Sequence, residues 1–553
     1  MRTIATKVLL VWMALLTTAC AVNTGTVSQK ENTTTLNRPK LVVGIVVDQM
    51  RYDFLYRYWD RYGQDGIKKL VQQGFNFQNA NYSYVPTYTA PGHASVYTGS
   101  IPEVNGIIAN SWYDRELGRT MYCVEDKSVK TVGSTSKAGL MSPKNLLSTT
   151  ITDQLKLATN KRSKVIAVAL KDRGAVIPGG FMADGAYWFD SESGNFITST
   201  FYREELPAWV TEFNAQKLAD KYLSQTWSPL HPIETYRNST ADNMPYESGL
   251  SGKADPVFPY NLAALREKDY ELIRSTPYGN TLTKDIAIKA LHAEQLGKGE
   301  ETDFLAVSFS STDYIGHGFG PNSIEAEDTY LRLDREIAEL LKELEKTVGK
   351  ENLLVFLTAD HGVSNVTGYM TGERVTAGYI GYSVIGDSVK SYMSRTYGGG
   401  KWLEKYTNQQ VYLNHKTIKD KKLNLAEVQQ GVANYLASLE GVARTITADA
   451  LQKTSWTYGP MRLVENGYNA RRSGDVVVML EPNWQHHGTK GTSHGSYSAH
   501  DTHVPVLFYG WKVKPGESAI RVEVTDIAPT IATWLHIQEP TGTVGKALQE
   551  YMK

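Results

Sequence analysis

The sequence predicts an α/β protein whose mostly parallel central sheet is flanked by helices and interrupted by cap-like insertions. Two observations carry this prediction. Short apolar runs rich in β-branched residues alternate with stretches of helical periodicity, the pattern of βα units. Residues 226–275 and 364–474 break that alternation without ending it, because strand-like runs resume after each. Insertions of this size near strand ends commonly cover a site.

Taken in order, the 553-residue chain opens on MRTIATK, a positive segment with Arg2 and Lys7, followed by nine apolar residues from Val8 to Leu16. Nine helical residues rise about 14 Å, too short for a ~30 Å hydrocarbon core. Residues 1–21 therefore read as a signal peptide. Ala19-Cys20-Ala21 fits ordinary cleavage and release into the periplasm. Thr18-Ala19-Cys20 also resembles a lipoprotein site, so a lipid anchor on Cys20 at a bacterial membrane is the alternative. Residues 22–38 are polar and aperiodic, a flexible tether.

Residues 41–47 (LVVGIVV) form a buried strand by composition, and residues 52–73 follow with helical spacing. Residues 164–170 (KVIAVAL), 303–310 (DFLAVSFS), 352–358 (NLLVFLT) and 504–509 (VPVLFY) are further strands. Residues 323–348 make the clearest helix, amphipathic with i,i+4 charge pairs and closed by Gly349; residues 525–537 make another.

Composition narrows the function. Lys and Arg total 58, as do Asp and Glu, so the formal net charge is zero. That excludes a grip on nucleic acid or anionic membranes through bulk positive charge. No later segment is apolar for long enough to span a membrane. The two cysteines, Cys20 and Cys123, allow neither a disulfide framework nor a Cys-rich zinc module. Any metal must be held by histidine and carboxylate. Five of the 12 histidines (His486, His487, His494, His500 and His503) cluster late in the chain.

The acidic residues fall where ligands bind in open parallel sheets, beyond the carboxyl ends of strands. Asp48 closes LVVGIVV, Asp313 follows DFLAVSFSST and Asp360 follows NLLVFLTA. Three carboxylates there would repel one another unless a cation sat between them. Asp313 and His317 stand one helical turn apart, and His361 adjoins Asp360. Oxygen and imidazole ligands without thiolate suit catalytic Zn²⁺, and the ligand number suffices for two ions. In residues 86–100 (PTYTAPGHASVYTGS), Thr89 precedes Pro91, Gly92 and a helical run. A helix start favours anions, and coordination to a metal is one way to activate a threonine hydroxyl. Lys171 and Arg173 follow the strand KVIAVAL and emerge at its carboxyl end.

The chain resembles the alkaline phosphatase superfamily, and within it the PafA-type bacterial periplasmic alkaline phosphatases. The resemblance rests on VVDQMRYD, PTYTAPGHASVYTGS, GIIANSWYD, ALKDRGAVIPGG, STDYIGHGFGP, TADHGV and GTSHGS, in that order along the chain. It implies that residues 39–553 form one alkaline-phosphatase-like catalytic domain carrying the two insertions. It further implies a zinc-dependent hydrolase of broad specificity for phosphate monoesters, acting through a covalent phospho-threonine on Thr89 and releasing inorganic phosphate. Asp48, Thr89, Asp360 and His361 would surround one zinc ion; Asp313, His317 and His494 would hold the other. Lys171, Arg173 and Asn110 would contact phosphate oxygens.

The late histidine block offers His500 and His503 beside His494, and spacing does not choose among them; the resemblance implies His494, whose His-Gly pair matches the family's position. His503 reads as support for the next strand, His486 and His487 as surface residues, and His93 as a helix-start residue near the site. A nucleotide pyrophosphatase or phosphodiesterase of the same superfamily is the alternative activity. An exported zinc- or phosphate-binding protein is the alternative outside enzymes. A sulfatase is disfavoured, because Thr89-Ala-Pro-Gly-His93 supplies neither the Cys or Ser nor the arginine of its motif. A monomer is compatible with the chain, and nothing in it sets the oligomeric state.

Overall fold

The computed structural model describes residues 36–250 and 255–552. The expected signal peptide and most of the tether lie outside the described residues. Arg38–Lys553 forms one compact unit. At its centre is a ten-stranded sheet: β1 Leu41–Val47, β2 Phe75–Asn81, β3 Thr131–Val132, β4 Val165–Ala169, β5 Gly185–Asp190, β6 Asn195–Ser199, β7 Asp303–Phe309, β8 Leu353–Thr358, β9 Val506–Gly510 and β10 Gly516–Glu523. The spatial order is β10-β2-β9-β8-β1-β7-β4-β5-β6-β3.

The five middle strands, β8, β1, β7, β4 and β5, are parallel. Every residue of β1, β7 and β8 is buried, as expected for strands covered by helices on both faces. Four helices matter to the site: α1 Thr89–Thr98, α2 Asp172–Gly179, α3 Ser311–Phe319 and α4 Ile324–Val348. The Ser323 hydroxyl caps α4 at its start, accepting the Ala326 N–H, and Gly349 ends it at φ 81°.

The structure departs from the sequence reading in two places. Residues 52–73 are not one helix. Two short helices, Phe54–Arg57 and Ile67–Gln73, flank a 3₁₀ turn. The carboxylate of Asp334 on α4 takes the N–H groups of Gly63 and Ile67, both at 2.7 Å, and so terminates one segment and starts the next. Within this sheet, mostly parallel as the sequence predicts, β9 pairs antiparallel with β8 and β2. The loop before it lies at the carboxyl edge, so the strand that follows must run the opposite way. The second departure concerns the 364–474 insertion, whose sheet runs past its expected end. Leu403–Thr407, Gln410–Leu413, Val476–Leu480 and Val442–Thr447 form four antiparallel strands under helices Tyr382–Tyr397 and Leu425–Leu436. Ile385, Val389, Val411, Val432 and Val478 give this lobe its own apolar core. Among the described residues, 226–275 hold only short elements.

Candidate active site and metal centre

The carboxyl edge of the parallel strands brings the predicted side chains together. Asp48 follows β1 and is completely buried. Asp360 and His361 follow β8 and are equally buried. Asp313 sits in the first turn of α3, and His317 one turn later places Nε2 3.2 Å from Asp313 Oδ1. His494 Nε2 lies 3.5 Å from the same oxygen. Its Nδ1 faces the Thr87 carbonyl at 2.7 Å, and its ring stacks on His361 with centroids 3.5 Å apart. The other late histidines look elsewhere. His500 pairs with the Ser364 hydroxyl at 2.9 Å, and His503 with the Gln78 carbonyl at 2.8 Å. His486 is not a surface residue: it is half-buried between the Ile380 carbonyl and Tyr406.

Among the described residues, two sets of ligand atoms lie within 4.8 Å of one another: Asp313, His317 and His494, and Asp48, Asp313 and His361. Asp313 thus appears in both sets. Asp360 borders the second set, its Oδ2 3.8 Å from His361 Nε2. The donor chemistry fits a metal. Asp48 Oδ1, Asp360 Oδ2 and His361 Nε2 are buried without any hydrogen-bond partner. Orphaned buried polar atoms are costly, and a divalent cation would satisfy all three.

The electrostatics agree. Burial, with the neighbouring Asp48, raises the Asp360 carboxyl well above its usual range, and burial raises Asp48. Burial would raise Asp313 too, but His317 and Lys171 hold it well below. Burial lowers His361 to about 3 and, with His361 beside it, holds His494 well down, so both imidazoles are neutral as ligands must be.

Thr89 is the first residue of α1, a helix buried along its whole length. Gly92 lets that helix press against the Asp360 strand end, where an added Cβ would sit 2.2 Å from the Asp360 carbonyl oxygen. Arg173 Nη2 reaches within 3.5 Å of the Thr89 hydroxyl. The Asn110 side-chain oxygen accepts the Ala90 N–H at 2.9 Å, which leaves its NH₂ as the end that can donate. His93 is buried against the Thr89 carbonyl and the Ser308 hydroxyl, both at 2.9 Å. Lys171 is not a solvated cation at the pocket mouth. Its Nζ lies 2.6 Å from both Asp48 Oδ2 and Asp313 Oδ2, because a buried ammonium must find anions.

Sequence reasoning missed two contributors. Gln49, in the left-handed region at φ 66°, donates its side-chain amide to Asp313 at 2.7 Å and its N–H to Asp360 at 3.1 Å. The Tyr122 hydroxyl accepts from Arg173 at 3.0 Å and donates to Asp172 at 2.5 Å. Gln49 stands beside Asp48 and could have been found there; Tyr122 carries no signal in the sequence.

The family described as type I phosphodiesterase / nucleotide pyrophosphatase matches residues 42–505. The chain belongs to this family. With it comes membership of the alkaline phosphatase superfamily, as the seven motif blocks lead one to expect. Alkaline phosphatase PhoV of Synechococcus elongatus is 49% identical, over 94% of each chain. A Myroides odoratus protein named calcium-transporting ATPase is 47% identical, over 93% of this chain and 95% of that one. Alkaline phosphatase PafA of Elizabethkingia meningoseptica is 44% identical, over 94% and 96%. A crystal structure of wild-type PafA superposes with a TM-score of 0.91 at 44% identity, covering 93% of this chain and 99% of that one. Among the described residues, no helix of this family member is long and apolar enough to cross a membrane.

Proposed function

We propose that this chain is a zinc-dependent alkaline phosphatase that hydrolyses phosphate monoesters and releases inorganic phosphate. The observation that carries the reading is a hydroxyl at a buried helix start, flanked by Arg173 and by a cluster of unpartnered carboxylate and imidazole atoms. PhoV and PafA, both named alkaline phosphatases, support the monoesterase reading.

Asp48, Asp313, Asp360, His317, His361 and His494, with Thr89, are the residues that would hold two Zn²⁺ ions. When bound, such ions supply Lewis-acid charge at the attacking and leaving oxygens. The chain's own groups do the rest. Thr89 Oγ attacks phosphorus in line, the ester P–O bond breaks, the hydroxyl proton leaves with the departing alcohol, and phospho-threonine forms. Water then attacks that phosphoryl group, and Thr89 recovers its proton. Arg173 and the Asn110 NH₂ face the non-bridging oxygens, and Arg173 can hold two of them at once. The helix start at Thr89 adds N–H groups that favour the anion. Lys171 supplies fixed positive charge behind the site.

The decisive experiment compares nitrophenyl phosphate with its bis-ester, in wild type and in Thr89→Ala. Wild type prefers the monoester, and the variant loses at least ~10³-fold in kcat while retaining zinc. Near-wild-type monoesterase activity in Thr89→Ala would refute the mechanism. The family name keeps a diesterase in view, and preference for the bis-ester would establish that activity instead. We further propose export to the periplasm by cleavage of residues 1–21, with a lipid anchor on Cys20 as the alternative. The mass of the mature N-terminus separates the two.

A further inference from the structure

We propose that Gln49 is a positioning residue of the metal centre: its side-chain amide holds one oxygen of Asp313 and so commits that carboxylate to the ion of His317 and His494. The inference rests on the two-ion site proposed above and adds a residue outside its ligand set.

Asp313 lies in the set with His317 and His494 and in the set with Asp48 and His361. Which ion it serves therefore depends on what holds its two oxygens. An ionised carboxylate accepts along about four directions, two on each oxygen. Lys171 Nζ takes Oδ2 at 2.6 Å. Gln49 Nε2 takes one direction on Oδ1 at 2.7 Å. The amide end facing Asp313 must be the NH₂, since a carboxylate only accepts. The remaining capacity of Oδ1 lies beside His317 Nε2, 3.2 Å away, and His494 Nε2, 3.5 Å away. Gln49 acts on a second ligand in the same way. Its N–H donates to Asp360 Oδ1 at 3.1 Å, and the oxygen left over, Oδ2, is the one buried without a partner.

The backbone is strained to make both contacts. Gln49 is buried at φ 66°, in the left-handed region that favours glycine. Such a conformation persists only where neighbours over-determine it, and it points to a use for the side chain. Thr312 Oγ1 donates to the Asp48 carbonyl at 2.5 Å, and the Tyr330 hydroxyl donates to the Gln49 carbonyl at 3.4 Å. Gly316, between Asp313 and His317 on α3, makes room for the amide: a Cβ there would collide with Gln49 Oε1. Gly316 is an ordinary helical residue by conformation, so its missing side chain serves Gln49 rather than the helix. Without the Gln49 donor, Oδ1 is free to turn towards Asp48 and His361, and the other set loses its only carboxylate.

Two variants test this, with zinc affinity read by competition with a chromophoric chelator, a measurement that needs no turnover. Gln49→Met keeps the length, the bulk and the strained φ but cannot donate. Gln49→Gly relieves the strain and keeps the N–H to Asp360, which guards against a failure to fold. Both are expected to bind one of the two ions ~10- to 100-fold more weakly, with the other within about threefold of wild type. In a His494→Ala background, where the affected ion is already lost, Gln49→Met should change the remaining affinity by less than about threefold. A Met variant that binds both ions as wild type does overturns the inference, because the side chain then only fills space. Equal weakening of both ions overturns it too, because Asp313 is then not committed to one. Failure of the unmutated protein to bind two zinc ions overturns the two-ion site itself, so the two failures are told apart.

Discussion

Three late histidines compete for one role, and their ring nitrogens separate them. His494 faces Asp313 and stacks on His361, whereas His500 and His503 are spent on a serine hydroxyl and a backbone carbonyl. His494→Ala should therefore lower bound zinc and cut kcat/KM by more than ~100-fold, since even outer-shell changes at metal sites cost 10- to 100-fold. His503→Ala removes a stack on Tyr52 and one hydrogen bond. Its expected cost is ~1–2 kcal/mol of stability with zinc intact. Metal analysis and thermal melts of the two variants check the pair. Sequence could not decide this case, because which way a ring turns depends on partners hundreds of residues away, such as Thr87. Asp48, Asp313 and Asp360 were legible because each lies within four residues of the end of a recognisable buried strand. Lys171 was legible in place but not in partners: a strand end says nothing of whether an ammonium turns to solvent or inward.

Elements were legible where one segment settles its own structure. LVVGIVV is a strand by composition and α4 a helix by periodicity, and both match their expected limits to within a residue. Residues 52–73 were not, because Asp334 from a distant helix breaks them. The lobe of residues 364–474 was visible as an interruption, but its sheet closes only with Val476–Leu480. That lobe carries a consequence for acid stability. Burial lowers His486 to about 4 from its ordinary 6.5, against the backbone bond to Ile380, which opposes the change. A histidine depressed in the folded state contributes stability that is complete above about pH 6.5 and is lost as pH falls towards 4. A tenfold change in a protonation equilibrium is worth about 1.4 kcal/mol, so at most ~3 kcal/mol is at stake. His486→Gln should lose less melting temperature between pH 7 and pH 5 than wild type does. An identical loss in both proteins would show that His486 does not report on the lobe.

At the scale of the whole molecule, zero net charge coexists with a proposed dianionic substrate. The balance is local. Asp48, Asp313 and Asp360 outweigh Lys171 and Arg173 by one negative charge when all are ionised, so the bare cluster repels phosphate. One divalent ion reverses the sign, and two leave three positive charges facing the anion. Inorganic phosphate should therefore bind in steps that follow metal content. Titrated calorimetrically into Thr89→Ala, it should show no measurable heat after chelation, weak binding with one equivalent of Zn²⁺ and tight binding only with two. Calcium should not substitute, since His317, His361 and His494 offer nitrogen and Ca²⁺ selects oxygen ligands. Because a bound ligand stabilises only the folded state, the same additions should raise the melting temperature in the same order, an ion at a hundred to a thousand times its dissociation constant adding ~3–4 kcal/mol of stability. Phosphate binding to the chelated protein as tight as to the zinc-loaded one would mean that Lys171 and Arg173 suffice for the anion, and the metal would have to be reassigned from substrate binding to structure.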